Sequence, residues 1–82
     1  MSDSLKVHIG LNPKAAQTLK DLPSEARTPW VQAHIHAQPD TFETFDTYGF
    51  LSCTLEREDL LSEVEAAPEV EWVEIDRKMS AI

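Results

Sequence analysis

The sequence predicts an α+β domain in which a four-stranded antiparallel sheet is backed by two helices. Residues 5–11 and 70–75 carry the alternating or β-branched and aromatic pattern of strands. Residues 12–22 and 56–67 repeat apolar side chains at helical spacing. Two more strand-like runs lie between the two helices. Because 82 residues with 41% hydrophobic content allow one small core, we expect residues 1–82 to form a single domain.

The first strand and the first helix follow each other directly. Leu5–Leu11 alternates apolar and polar residues, which predicts one core face and one solvated or partner-facing back. A helix then begins at Asn12 and Pro13, since asparagine is a favoured N-cap and proline is favoured at the first helical position. Pro23 is expected to end this helix. Its buried stripe is predicted to consist of Ala15 or Ala16, Leu19 and Leu22.

Residues 24–38 fit two structures. Helical spacing is shown by Trp30, Ala33, His34 and Ala37, whereas strand alternation is shown by Val31, Ala33, Ile35 and Ala37. Thr28-Pro29 could cap the helical alternative, which we favour. The prolines between residues 12 and 39 therefore predict that the first helical region is broken or extended. No position for Trp30 follows from the sequence.

A hairpin and a second helix are predicted next. Thr41–Asp46 and Gly49–Leu55 have strand composition, and Asp46-Thr-Tyr-Gly49 has the residues of a tight turn between them. The helix is expected over Glu56–Ala67, where Pro68 stops it. Its apolar stripe consists of Leu60, Leu61, Val64 and Ala67.

The last predicted strand is Val70–Ile75. Simple alternation places Val70, Trp72 and Glu74 on one side of it and Glu71, Val73 and Ile75 on the other. At least one of Phe50 and Trp72 is expected in the core, because one face of the sheet is backed by helices. The order strand, helix, hairpin, helix, strand is the split β-α-β order of the ferredoxin-like fold.

Charge and cysteine content limit the partners and the compartment. Fifteen acidic against seven basic side chains give a net charge of −8, which argues against nucleic acid and against an anionic membrane surface. We expect no membrane span and no signal peptide, because no apolar run is long enough and the start is polar. The single cysteine, Cys53, has no internal partner and favours a reducing, cytoplasmic location. A monomer is expected when the protein is free.

The residues capable of chemistry predict no enzyme, no metal and no cofactor. His34 and His36, with His8 and Cys53, are metal-ligand types, but their spacing matches no metal motif, and ordinary surface histidines are the stronger explanation. Cys53 lies between Leu51 and Leu55 on an apolar strand face, where a buried structural thiol is expected. The carboxylates of residues 56–65 lie on the solvated side of a helix, where charge usually serves solvation.

The second half of the chain resembles the subtilisin propeptide, or inhibitor I9, family, including its free-standing members that inhibit serine proteases. The matching pieces are Leu55, the apolar helix ending at Ala67, the run Pro68-Glu-Val-Glu-Trp-Val-Glu74, Asp76 and a tail of six residues. The match covers about residues 48–82, with a weaker part at the first strand. In that family, the corresponding tail ends where a propeptide is cut from its protease.

The resemblance implies an inhibitor of a subtilisin-like serine protease. The sheet face would dock on two surface helices of the enzyme, and Glu74 and Asp76 would accept hydrogen bonds from their N-termini. The tail would lie as an extended strand in the substrate groove, with Met79 in the fourth pocket and Ile82 in the first. The implied protease-binding residues are Glu74, Asp76, Arg77, Lys78, Met79, Ser80, Ala81 and Ile82.

Two positions depart from the family pattern, and two other functions stay open. Glu56 replaces the usual helix N-cap, and β-branched Ile82 is an unusual first-pocket residue for a broad-specificity subtilisin. A folding chaperone acting in trans on a protease would use the same surface. The alternative from another class is an acidic ferredoxin-like interaction module or regulatory subunit with no protease target. Removal of Met79–Ile82 separates the inhibitor from the interaction module, since only the inhibitor requires the tail.

Overall fold

A computed structural model describes residues 4–76 of the chain. In chain order the elements are β1 (Leu5–Leu11), α1 (Pro13–Asp21), α2 (Ser24–Ile35), β2 (Gln38–Thr41), α3 (Glu43–Tyr48), β3 (Phe50–Leu55), α4 (Leu60–Ala66) and β4 (Val70–Ile75). These strands form one antiparallel sheet in the order β2-β3-β1-β4, the order of the ferredoxin-like fold. The predicted fold class is confirmed, but the described residues form four helices instead of the two expected.

The core lies between one face of the sheet and the helices. The alternation predicted for β1 and β3 is confirmed, because every second side chain of each central strand is buried except Leu5, which is half-buried. Full burial of an aliphatic side chain stabilises the fold by roughly 1.5–3 kcal/mol. The fully buried residues, each with 0–1% exposure, are Val7, Ile9, Leu19, Val31, Ile35, Leu51, Cys53, Leu55 and Val64.

The start of α1 is as the sequence predicts. The Asn12 side-chain oxygen accepts a hydrogen bond from the Ala15 amide at 2.7 Å, and Pro13 occupies the first turn. Asn12 also binds the turn before β4: its side-chain amide donates to the Pro68 carbonyl at 3.0 Å, and its backbone N–H donates to the Glu69 carbonyl at 2.9 Å. One residue therefore joins the first helix to the last strand.

The first helical region is broken, as expected, and residues 24–35 are helical. α2 begins at Ser24, earlier than the Thr28-Pro29 cap, and Pro29 lies inside it. Val31 and Ile35, one helical turn apart, are its buried residues. The helical alternative was therefore right, although the stripe expected through Ala33 and His34 is exposed.

The predicted hairpin is wrong. Residues 43–48 form α3 instead of a strand, and β2 lies earlier, at Gln38–Thr41. Phe42 and Phe45 both pack on the core, at a spacing of three residues that a helix accommodates. Gly49 is the C-terminal cap of α3, with φ 90°, and its N–H donates to the Phe45 and Thr44 carbonyls.

The second predicted helix is shorter than expected. α4 begins at Leu60, not Glu56, and residues 56–59 form turns in which the Leu60 and Leu61 amides bond to Arg57 and Glu58 carbonyls. Within the predicted stripe, Val64 and Ala67 are buried and the two leucines are half-buried. Ala67 ends the helix directly before Pro68, as predicted.

A β-bulge changes the faces of β4. Trp72 pairs with Gly10 and Val70 pairs with Leu11, so Glu71 is an extra residue without a partner on β1. The bulge places Val70 against the core together with Val73 and Ile75. The expectation that Val70 and Trp72 share a side is therefore wrong.

Candidate docking face

The sheet has one face that the helices do not cover, which we call the open face. The core-facing residues of β1 and β3 form one cluster with the buried residues of the helices. Because strand side chains alternate, the intervening residues point away from that cluster. The open face consists of Lys6, His8, Gly10, Asp40, Phe50, Ser52, Thr54, Trp72, Glu74 and Asp76.

Three aromatic side chains form a patch at one end of the open face. We call Tyr48, Phe50 and Trp72 the aromatic patch. The Tyr48 and Phe50 rings are stacked with centroids 5.9 Å apart, and the Phe50 and Trp72 centroids lie 6.1 Å apart. The His8 ring lies 5.0 Å from Phe50. Tyr48 is 73% exposed and Trp72 is 43% exposed, so the patch is accessible to a partner.

The expectation that Phe50 or Trp72 lies in the core is wrong, because both lie on the open face, where Gly10 leaves room for the Trp72 indole. Gly10 is the partner of Phe50 on one side and of Trp72 on the other. A side chain at position 10 would overlap the Trp72 indole ring. The indole therefore lies over the glycine backbone, on the open face, because the absent side chain leaves room for it.

Polar contacts occupy the other end of the open face. The Lys6 ammonium lies 3.2 Å from an Asp40 carboxylate oxygen, and the Thr54 hydroxyl donates to the other oxygen at 2.7 Å. His8 Nε2 lies 3.7 Å from an Asp76 carboxylate oxygen. The Asp76 backbone N–H donates to the Lys6 carbonyl at 2.9 Å, which fixes the chain as it leaves β4.

The two predicted carboxylates lie on this face. Glu74 is the cross-strand partner of His8 and is exposed, whereas Asp76 is half-buried. Among residues 4–76, Glu74 has no ion-pair partner, while Asp40 pairs with Lys6 and Asp76 lies beside His8. The other predicted protease-binding residues, Arg77, Lys78, Met79, Ser80, Ala81 and Ile82, lie outside the described residues.

The buried thiol is unreactive. Cys53 is fully buried in β3, as predicted. Burial, with a smaller contribution from the negative charge of Asp40, raises the pKa of Cys53 to about 12. The thiolate that a nucleophile or a metal ligand requires is therefore disfavoured at neutral pH.

The three histidines lie on different parts of the fold. His8 belongs to the open face, and His36 follows α2 in a left-handed conformation with φ 64°. His34 stacks on Trp30 with centroids 4.8 Å apart, and its Nδ1 lies 3.3 Å from a Glu69 carboxylate oxygen. Within residues 4–76, no three His, Cys, Asp or Glu side chains are grouped to hold a metal ion.

A shallow cleft of about 310 Å³ lies beside His34 and Glu69. Trp30 and Thr18 line it, and the Thr18 hydroxyl donates to the Lys14 carbonyl of its own helix at 3.0 Å. The Thr18 hydroxyl therefore bonds to its own helix, and no hydrogen bond between it and His34 is found within residues 4–76.

No family model, curated protein or solved structure matches this chain. A search for membrane-spanning helices in residues 4–76 finds none of sufficient length and apolarity. Any functional conclusion therefore depends on the open face itself.

The sequence pointed to two carboxylates of the open face, Glu74 and Asp76, but it did not reveal the aromatic patch. Gly10 within an otherwise regular strand was the available signal, since a glycine there indicates close approach of another group.

Proposed function

We propose that this protein inhibits subtilisin-like serine proteases by docking its open face on the enzyme and placing residues 77–82 in the substrate groove. The observation that carries the proposal is the composition of the open face: an exposed aromatic patch, with the carboxylates of Glu74 and Asp76 on the last strand beside it. The same protein could act as a folding chaperone in trans, because that activity uses the same surface.

The aromatic patch supplies the apolar part of such an interface. Protein interfaces are enriched in Trp and Tyr, and exposed large apolar groups on a small domain commonly mark an interaction site. Tyr48 and Trp72 are the exposed large hydrophobic residues within the described part of the chain. Both lie in the patch and would lose contact with water on docking.

The carboxylates supply the polar part. An acidic side chain at a helix N-terminus accepts hydrogen bonds from unpaired amides and interacts with the positive end of the helix dipole, worth roughly 0.3–2 kcal/mol. Glu74 is free of intramolecular ion pairs among residues 4–76, so a partner can bind it without first breaking such a pair. The Asp76 carboxylate already lies beside His8, so a partner would have to share it with that side chain.

The tail would supply the inhibition itself. Residues 77–82 follow directly on Asp76, whose backbone is bound to β1. Bound as an extended strand, they would place Met79 in the fourth pocket and Ile82 in the first pocket beside the catalytic serine, like a product. The buried free thiol of Cys53 fits a reducing, cytoplasmic location for this activity.

The test is hydrolysis of a chromogenic peptide by subtilisin and by several other subtilases. We expect inhibition by the full chain, its loss in a variant ending at Lys78, and at least partial weakening by Glu74→Gln. Glu65→Gln is the matched control, because it removes the same charge from an exposed position in α4. Absence of inhibition by a folded full-length sample against every subtilase tested would reject the proposal and favour the acidic interaction module.

A further inference from the structure

The aromatic patch lies beside an unpaired carboxylate. Trp72 and Glu74 are two residues apart on β4 and point to the same face, so their side chains emerge roughly 7 Å apart. Glu74 is the open-face carboxylate without an ion-pair partner among residues 4–76, since Asp40 binds Lys6 and Asp76 lies beside His8. An aromatic surface and a free negative charge are thus available together.

This pair of features recognises a particular chemistry. The face of an aromatic ring attracts a cation within about 6 Å of its centroid, with tryptophan the strongest. A carboxylate binds a guanidinium group through two parallel hydrogen bonds. Arginine satisfies both at once, because its planar group stacks on a ring while its edge donates to a carboxylate.

The protein contains the same arrangement internally. The Arg27 guanidinium carbon lies 5.5 Å from the Phe42 ring centroid and 5.7 Å from that of Phe45. Its Nη1 lies 3.3 Å from an Asp46 carboxylate oxygen. Two rings and one carboxylate thus hold an arginine on the covered side of the fold, and the open face presents the same groups to a partner.

Other partners are less compatible with the negative charge of the open face or with its aromatic rings. Nucleic acid bases could stack on the patch, but Glu74 and the net charge of −8 would repel the phosphates. A second copy of this chain would bring the same acidic face against itself. A lysine offers a point charge without the planar group that stacks and binds bidentately.

We propose that the aromatic patch and Glu74 bind an arginine side chain presented by the protein partner. The inference rests on the same face as the proposed inhibitor function, and it adds an arginine side chain to the helix N-terminal amides as a partner group for Glu74. It also holds for any basic protein partner, so it can be tested without a protease.

The experiment is an NMR titration of the ¹⁵N-labelled full chain with the peptide acetyl-Ala-Arg-Ala-Arg-Ala-amide. Its control is the same peptide with citrulline in place of arginine, which keeps the shape and removes the charge. We expect saturable shifts of the Trp72 indole N–H and of the Gly10 and Glu74 amides with the arginine peptide. The citrulline peptide should bind about 2- to 30-fold more weakly, the range of a cation–π contact.

Two variants separate specific binding from general attraction to an acidic protein. Glu74→Gln, at an exposed position that does not endanger folding, should weaken binding by a similar factor, and Trp72→Leu should weaken it as well. Glu65→Gln removes an equal charge from α4 and should leave the affinity within about twofold, as a distant surface charge screened by salt does.

Three outcomes would overturn the inference: equal binding of the citrulline peptide, equal loss of affinity in Glu65→Gln and Glu74→Gln, or shifts at these signals with a single-stranded oligonucleotide but not with the arginine peptide. Failure of the proposed inhibitor function is a separate result, because it appears in the protease assay, whereas this titration contains no enzyme.

Discussion

The Trp72 indole occupies the space above Gly10 that a side chain at position 10 would fill. The two residues are directly paired across β1 and β4, one residue from the bulge at Glu71. This relationship lets the indole lie against the β1 backbone on the open face, where it forms part of the aromatic patch. Position 10 and position 72 are therefore coupled, and their substitutions should not have additive effects on stability.

The first prediction concerns that coupling. Gly10→Ala should destabilise the protein by about 1–3 kcal/mol, because the methyl group overlaps the indole and forces it to move. In a Trp72→Ala background, the same change should be neutral or stabilising by about 0.5–1 kcal/mol, since alanine is favoured over glycine within a strand. Urea denaturation of the four proteins measures the cycle. Equal effects of Gly10→Ala in both backgrounds would show that the two residues are not coupled.

The second prediction concerns Asn12, which caps α1 and also binds the turn before β4. Asn12→Ala should cost about 1–2 kcal/mol, because it leaves the Ala15 amide without its cap. Asn12→Asp keeps an acceptor for that amide but loses the donor to the Pro68 carbonyl. It should therefore lie between the wild type and Asn12→Ala in urea denaturation. If Asn12→Asp were as unstable as Asn12→Ala, the bond to Pro68 would be the dominant one.

Local signals in the sequence predicted the parts of the fold that depend on few neighbours. The Asn12-Pro13 start of α1 requires only the residues of one helical turn. The core faces of β1 and β3 follow from strict alternation, which a strand translates directly into burial. The predicted order of strands and helices then indicated the ferredoxin-like order of the four strands in the sheet.

The parts that sequence reasoning missed depend on contacts between distant segments. Phe42 and Phe45 fit a strand or a short helix, and only their packing on the core selects α3. The face of Val70 depends on the bulge, which exists only in the pairing with β1. The aromatic patch combines Trp72 of β4 with Phe50 of β3 and Tyr48 of α3, and Gly10 of β1 leaves room for the indole. The patch could therefore not be derived from periodicity along β4 alone.

The third prediction concerns Arg27, whose side chain is only 15% exposed. Its Nε is buried without a hydrogen-bond partner within the described part of the chain, which offsets the attraction to Asp46 and to the two phenylalanine rings. Arg27→Met keeps the apolar stem and removes the buried donor, so stability should change by less than about 1.5 kcal/mol. Arg27→Ala also removes the packing of the stem and should be clearly less stable. A loss in Arg27→Met as large as in Arg27→Ala, by urea denaturation, would show that the charge dominates.

The fourth prediction concerns the pH dependence of stability at Cys53. Burial raises the pKa of this thiol from its ordinary value of 9.0 to about 12 in the folded protein. Above pH 9 the unfolded chain loses the thiol proton while the folded protein keeps it, so deprotonation favours unfolding. The stabilisation is fully present below pH 9 and is lost as the pH rises from about 9 towards about 12, with a slope approaching about 1.4 kcal/mol per pH unit.

Urea denaturation from pH 8 to pH 10.5 measures this slope, and Cys53→Ala is the control. The variant has a lower stability at every pH because it loses buried volume, but every other titratable side chain remains. The difference in unfolding free energy between the two proteins should therefore shrink as the pH rises above 9. A constant difference would show that the thiol titrates alike in both states. Reaction of Cys53 with a thiol reagent should correspondingly follow unfolding, because the fully buried sulfur is inaccessible in the native protein.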